Sequence, residues 1–320
     1  MKIFYGSNSI ALATSIAVIL DAKYEEPLFK GLGRLSTVKF SDGEISPTFN
    51  ESLRDKRVYI IQSTNSPGDN IVELMLTLDA ARRASAKEIV AVIPYFAYAR
   101  QDRKDAHRTA IGAKVMMDAF CGAGANRILT IDLHAAQLEG FCNLPIDHIH
   151  GFSVFRSLLK QLHSESEAQG RKFVLCSPDV GGIKRVQKAA KITDDRFVLL
   201  NKTRKFVNQV ESMDLIGEVV GADVLIVDDM VDTAGTLSKA ADALRQAGAH
   251  SVSAMATHGV LSGSGKENVQ NSSLDKLYIS DTIAQNDLPS KISVISCAEI
   301  LSKALWRIHT SASLEVITNL

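Results

Sequence analysis

At 320 residues, with 46% hydrophobic and 22% charged side chains, the chain is long enough for two globular domains, each able to bury an ordinary core. Lysine plus arginine and aspartate plus glutamate both number 36, giving a formal net charge of +0, which excludes a global basic field recruiting nucleic acid or an anionic membrane surface. Four cysteines, Cys121, Cys142, Cys176 and Cys297, lack the close spacing of metal or redox motifs and fit a reducing, cytoplasmic setting as small structural side chains.

In chain order, Ile3–Tyr5 reads as a first strand, Gly6–Ser9 as a turn with capping residues, and Ile10–Leu20 as a buried helix feeding Asp21. That apolar run follows a single Lys2 and lacks a good cleavage site, so it is not taken as a signal peptide, and no run approaches a membrane span. The sequon-like Asn50-Glu51-Ser52 and Asn271-Ser272-Ser273 carry no weight in a cytoplasmic protein. Val58–Gln62 leads through S-T-N-S-P-G-D-N to the periodic Ile71, Leu74 and Leu78.

Ile89–Tyr98 is strand-like and runs into A-R-Q-D-R-K-D-A-H-R, where Arg100, Arg103, Lys104 and Arg108 cluster with Asp102 and Asp105. A charge run is usually a solvated face, but after a buried strand its arginines can clamp a polyphosphate by paired hydrogen bonds. Ile128–Leu133 is a further apolar strand, ending at Asp132 and His134. A lone histidine is more often structural, yet beside an aspartate at a strand end it is a plausible metal neighbour. Lys172–Cys176 leads to S-P-D-V-G-G-I-K-R, which places Asp179 at another strand end.

The most informative stretch is V-L-I-V-D-D-M-V-D-T-A-G-T, Val224–Thr236. Val224–Val227 suits a buried parallel strand, and Leu237, Ala240, Ala241, Leu244 and Ala247 recur at helical spacing, so the stretch between is a strand-to-helix loop of the kind that binds ligands in open α/β sheets. Thr233, Ala234, Gly235 and Thr236 are small enough to bring backbone N–H groups to a phosphate at the positive end of a helix. Asp228, Asp229 and Asp232 would repel that phosphate, so they suit sugar hydroxyls or a hydrated divalent cation. The loop resembles the phosphoribosyl pyrophosphate loop of the type I phosphoribosyltransferase fold. The unit from Val58 through the strand-like segment after Ala84 repeats the order strand, loop, helix, strand seen from Val224 onward, but without the paired acids.

Together, K-F-S-D-G-E (Lys39–Glu44), Y-A-R-Q-D-R (Tyr98–Arg103), D-L-H (Asp132–His134), S-P-D-x-G-G (Ser177–Gly182) and V-D-D-M-x-D-T-x-G-T (Val227–Thr236) resemble the ribose-phosphate pyrophosphokinase family, also called phosphoribosyl pyrophosphate synthetase, over essentially the whole chain. N-K-T-R-K-F-V-N, Asn201–Asn208, is similar to the family's catalytic loop. The resemblance implies an α/β protein of two tandem type I phosphoribosyltransferase-like domains, each a mostly parallel sheet flanked by helices. Residues 1–150 would carry the ATP-binding segments, and 151–320 the ribose 5-phosphate loop and catalytic flap. It further implies transfer of the β,γ-diphosphoryl group of ATP to ribose 5-phosphate for nucleotide biosynthesis, with Mg2+ as cofactor. Phe40 would stack on adenine, while Asp42, Gly43, Glu44, Arg100 and Gln101 hold the nucleotide. Because Asp42 and Glu44 would come from a neighbouring subunit, a homo-oligomer, a hexamer, is implied. Lys202 and Arg204 would be catalytic; Arg204, Asp228, Asp229 and Asp232 to Thr236 would hold the ribose 5-phosphate; His134 and Asp179 would position the metal, with Asp132 orienting His134.

Ala234 stands where the family commonly has Gly or Cys, and His107–Lys114 lacks a proline often found there. Ser52–Arg54 resembles part of a phosphate and ADP regulatory site, which leaves the regulatory class open. A phosphoribosyltransferase would need neither the R-Q-D nor the K-F-S-D-G-E segment, and a non-catalytic family member would not need Lys202, Arg204, His134 and Asp179. A P-loop kinase is excluded because Val260 and Glu267 flank Gly263–Lys266 where glycine and Ser or Thr are required.

Overall fold

A computed structural model describes residues 1–24, 31–203 and 212–318. The described residues divide into two compact units, the first built from stretches within 1–150, 282–284 and 296–318, the second from stretches within 151–281 and 285–295.

The first unit contains β1 (Lys2–Tyr5), α1 (Ile10–Lys23), β2 (Leu35–Lys39), β3 (Ile45–Phe49), β4 (Arg57–Ile61), α2 (Asp69–Arg83), β5 (Glu88–Ile93), α3 (Gly112–Ala123), β6 (Arg127–Ile131), a 3-10 turn (Ala136–Gly140) and β7 (Ile146–Ile149). Its five-stranded sheet runs β1-β4-β5-β6-β7, with every pairing parallel. Val58, Tyr59, Ile60 and Ile61 are all fully buried, the pattern of a parallel strand covered on both faces. β2 and β3 form a separate antiparallel hairpin. The strand read as Ile89–Tyr98 stops at Ile93, because Pro94 has no N–H to give the ladder and the chain then turns through Tyr98 at φ 63°. α1 is buried along Leu12, Ala13, Ile16 and Leu20 but leaves Ile10 and Val18 exposed, so it is one-sided where the sequence suggested a buried helix.

The second unit contains α4 (Gly151–Val154), α5 (Arg156–Ala168), β8 (Phe173–Ser177), α6 (Ile183–Thr193), β9 (Arg196–Thr203), β10 (Ser212–Ile216), β11 (Asp223–Val231), α7 (Gly235–Gln246), β12 (Ser251–Gly259), α8 (Gly265–Asn271), β13 (Lys276–Ser280) and β14 (Ile292–Ile295). The seven-stranded sheet runs β10-β9-β8-β11-β12-β13-β14, parallel except for the β9–β10 pair. Along β11, Val224 and Ile226 enter one core with Leu237, Ala240 and Leu244, while Leu225 and Val227 enter the other with Leu159 and Val186. A period-two strand buried on both faces needs this continuous apolar run.

The remaining helices are α9 (Ala298–His309) and α10 (Glu315–Thr318). A simple division at residue 150 would leave α9 in the second unit, whereas it packs in the first against α1. Leu301, Ala304, Leu305 and Ile308 form its buried stripe, Trp306 stacks on Tyr24 at 4.3 Å, and Arg57 Nη1 donates to the Ile308 carbonyl at 2.8 Å. No described helix is long and apolar enough to cross a membrane.

Candidate active site

In the second unit the expected ligand residues gather at the C-terminal edge of the sheet, where open α/β sheets bind. β11 continues past the apolar run to Val231, paired with β12 through Asp228↔Ala256 and Met230↔His258. Asp228 and Asp229 therefore lie on the strand, and only Asp232–Ala234 form the loop, a correction to the longer loop read from the sequence. Strand alternation sends the two carboxylates to opposite faces at the backbone, yet Arg185 of α6 reaches both, Nη1 to Asp228 at 3.3 Å and Nη2 to Asp229 at 3.2 Å. The Asp229 N–H also donates to the Asp228 carboxylate at 2.9 Å. Burial and the adjacent Asp229 push the Asp228 carboxyl well above the usual range, with Arg185 only partly offsetting them. This crowding of negative charge suits a cation or hydroxyl donors. Arg185 had only the signal of lying a few residues beyond Asp179, and its reach to β11 depends on tertiary packing.

The following turn is built from behind. Ala234 takes a left-handed conformation, φ 61°, as α7's N-cap, and its carbonyl accepts from Ser238 Oγ at 2.9 Å. Asn268 Nδ2 donates to the Thr233 carbonyl at 2.8 Å, and Ser262 Oγ donates to Asp232. A side chain at Gly265 would sit 2.5 Å from the Asp232 carbonyl, so only glycine lets α8 support the loop this closely. α7 has no side-chain cap and no acid in its first turn, leaving its dipole uncompensated by its own sequence. Thr233 and Thr236 are exposed there and Gly235 is half-buried.

Asp179 follows β8, the strand beside β11, and its Oδ1 accepts the Gly182 N–H at 2.9 Å. Lys202 lies on β9 opposite Met213 of β10. Its side chain and all of Arg204 lie outside the described residues.

In the first unit, Phe40, Asp42, Gly43 and Glu44 form the tip of the β2–β3 hairpin. Phe40 N–H donates to the Glu44 carbonyl at 2.8 Å, Glu44 N–H donates to Asp42 Oδ1 at 3.0 Å, and Gly43 supplies the required φ of 94°. Phe40 is 52% exposed, unusual for a phenyl ring without a partner surface. Arg100 and Gln101 are exposed after β5, where the Gln101 carbonyl accepts the Ala113 N–H of α3 at 3.2 Å. Arg103 pairs with Asp105 at 3.0 Å in full solvent, whereas Asp102 accepts from Gln137 at 2.7 Å. His134 is exposed immediately beyond β6.

Asp132, His148 and His150 can bring one ligand atom each within 4.8 Å of one another. Both ring nitrogens of His148 are engaged, however, Nε2 accepting the Leu133 N–H at 2.9 Å and Nδ1 facing Glu139 at 2.8 Å, so this histidine offers no free lone pair to a metal. A cavity of about 310 Å³ opens at the opposite edge of the second unit's sheet. There Asp223 already accepts from Arg171 at 2.8 Å and Ser251 at 2.6 Å, so its polar wall is self-satisfied. Cys121 and Cys142, well apart in sequence, are neighbours. Burial and the Cys142 thiol push the Cys121 thiol up to about 12, making it a poor nucleophile.

Residues 1–124 match the N-terminal domain of ribose phosphate pyrophosphokinase, and residues 186–318 match the phosphoribosyl synthetase-associated domain. The chain is 41% identical to a ribose-phosphate pyrophosphokinase of Porphyromonas gingivalis, covering 99% of this chain and 97% of that one. It is 42% identical to one of Vibrio parahaemolyticus, covering 100% and 99%. A crystal structure of phosphoribosylpyrophosphate synthetase from Mycobacterium smegmatis superposes with a TM-score of 0.87 at 29% identity, covering 97% and 99%. The two flanked, mostly parallel sheets are thus the tandem type I phosphoribosyltransferase-like fold expected from the sequence. With its motifs in order and its relatives aligned end to end, the chain belongs to the ribose-phosphate pyrophosphokinase family.

Proposed function

We propose that this chain transfers the β,γ-diphosphoryl group of ATP to the anomeric hydroxyl of ribose 5-phosphate, giving 5-phosphoribosyl 1-pyrophosphate and AMP for nucleotide biosynthesis in the cytoplasm. The observation that carries this reading is the acidic end of β11 joined by a short small-residue turn to the uncapped start of α7. In this reading Asp228, Asp229 and Asp232 hold the ribose hydroxyls. Thr233, Ala234, Gly235 and Thr236 hold the 5-phosphate through backbone N–H groups, hydroxyls and the helix dipole. Arg185, shared between Asp228 and Asp229, keeps the acidic pair in place.

The anomeric oxygen attacks the β-phosphorus and loses its proton, while the bond from that phosphorus to the α,β-bridging oxygen breaks and AMP departs with the oxygen. Lys202 and Arg204 stabilise the charge developing on the transferred group by placement and electrostatics. Phe40 stacks on adenine, and Asp42, Gly43, Glu44, Arg100 and Gln101 hold the nucleotide. The exposed hairpin tip fits presentation of Phe40, Asp42 and Glu44 to a neighbouring subunit, hence a homo-oligomer, a hexamer in this reading.

The carboxylate and imidazole donors fit a hard divalent cation, and the charge crowded at Asp228 and Asp229 favours one nearby. His134 and Asp179 are each proposed as a residue that positions Mg2+. When bound, the ion would neutralise the polyphosphate's charge.

Phosphorus NMR of the protein with ATP, Mg2+, ribose 5-phosphate and inorganic phosphate tests this function. AMP appearing together with a sugar-linked pyrophosphate, only when the sugar is present, is expected. ADP as the product would mean single phosphoryl transfer, and an unchanged mixture would mean a binding protein.

A further inference from the structure

We propose that His148, held by Glu139, is a positioning residue that sets the backbone presenting His134. The inference rests on the role proposed above for His134.

β6 ends at Ile131, beside Ile149 of β7. The Asp132 N–H still reaches across to the Ile149 carbonyl at 2.7 Å, but Asp132 itself turns into a left-handed conformation, φ 47°. This breaks the ladder and aims the next N–H, that of Leu133, into the protein. Leu133 is 4% exposed, and a buried amide left without an acceptor is destabilising. His148, lying on β7 opposite Thr130, supplies the acceptor through Nε2 at 2.9 Å.

That bond requires a neutral imidazole with its proton on Nδ1. Glu139 Oε1, 2.8 Å from Nδ1, accepts this proton and fixes the tautomer. Glu139 belongs to the 3-10 turn that follows His134. The segment carrying His134 is thus clamped at both ends by one ring, through the N–H of Leu133 before it and the Glu139 carboxylate after it. The His148 side chain is 5% exposed, so this ring is packed against competing rotamers. An outer residue that orients a functional histidine through its own hydrogen bonds is a recurrent device at metal sites.

The test compares His148→Phe, which keeps a ring but offers no acceptor, with His148→Gln, whose amide oxygen can reach the Nε2 position. Glu139→Ala, at a side chain 45% exposed, serves as a variant that should fold readily. Two quantities are read for each: binding of Mn2+ in the presence of α,β-methylene ATP, followed by the electron paramagnetic resonance of free Mn2+, and kcat and KM for ribose 5-phosphate with Mg2+. His148→Phe should weaken Mn2+ binding about tenfold to hundredfold and lower kcat, leaving KM for ribose 5-phosphate within about twofold. Glu139→Ala should shift in the same direction by less, and His148→Gln should recover most of the loss. Unchanged Mn2+ binding in His148→Phe and Glu139→Ala would overturn the proposal, as would equal impairment of His148→Gln and His148→Phe. His134→Ala separates the two readings. If it weakens Mn2+ binding while the His148 variants do not, the positioning role alone is wrong; if it leaves Mn2+ binding intact, the role of His134 fails and this inference fails with it.

Discussion

The loops after β4 and β11 occupy the same place in two similar βαβ units, yet they have been finished in opposite ways. After β4, the polar groups are spent on one another. Ser63 N–H donates to Ser9 Oγ at 3.0 Å, Tyr95 N–H donates to Ser63 Oγ at 3.2 Å, and Asn70 Nδ2 donates to the Asn65 carbonyl at 2.7 Å. The helix that follows carries its own anion, Asp69, paired with Lys39 at 2.7 Å. After β11, carboxylates stand at the strand end and α7 has no acid in its first turn. A helix dipole already compensated by its own side chain has little left for a phosphate, while an uncompensated one is a ready anion site. The hairpins differ as well, since β2–β3 stands as a separate sheet and β9–β10 continues the main sheet with Lys202 on it.

The largest expected effect is that of Lys202→Ala. If Lys202 acts chiefly on the transition state, as proposed, its removal should lower kcat by about 10²–10³-fold with ribose 5-phosphate affinity nearly unchanged, as read by steady-state kinetics beside direct binding. Asp228→Asn should lower kcat/KM for ribose 5-phosphate by roughly tenfold to hundredfold, the value of one charge-assisted hydrogen bond. Near-normal kinetics in that variant would erase the distinction between the two loops. Ser63→Ala, the counterpart in the first loop, should cost about 1–3 kcal/mol in chemical denaturation because it orphans the buried Tyr95 N–H, and should leave kcat/KM within a factor of a few.

Acid should act on the first unit through His309. Burial, with the N-terminal ammonium and Arg57 nearby, pushes its imidazole down to about 4 from a usual 6.5. The unfolded chain therefore binds this proton between pH 6.5 and 4 while the folded chain does not, so stability falls as pH drops through that window. His309→Gln should flatten this part of the thermal unfolding profile. The smallest effect is expected of Ala234→Gly, which relieves a left-handed alanine but loosens the unfolded chain, for a net change within about 1 kcal/mol.

The sequence made the parallel strands legible because burial on both faces demands runs such as Val224–Val227, and it made the proposed ligand loop legible because three aspartates so close together do not suit a core. It hid the continuation of β11, since aspartate disfavours strands and only the pairing with β12 carries the ladder through Asp228 and Asp229. It also hid what depends on distant packing. The reach of Arg185 to the acidic pair, the contact of Cys121 with Cys142, the bond from Leu133 to His148 and the return of α9 to the first unit all follow from tertiary arrangement rather than local pattern.

The most direct measurement is calorimetric titration of ribose 5-phosphate into the unmodified protein, Asp228→Asn and Ser63→Ala. Weakened binding in Asp228→Asn with unchanged binding in Ser63→Ala is the result predicted if the second loop holds the sugar phosphate. Retained binding in Asp228→Asn, or loss confined to Ser63→Ala, would contradict that division of labour.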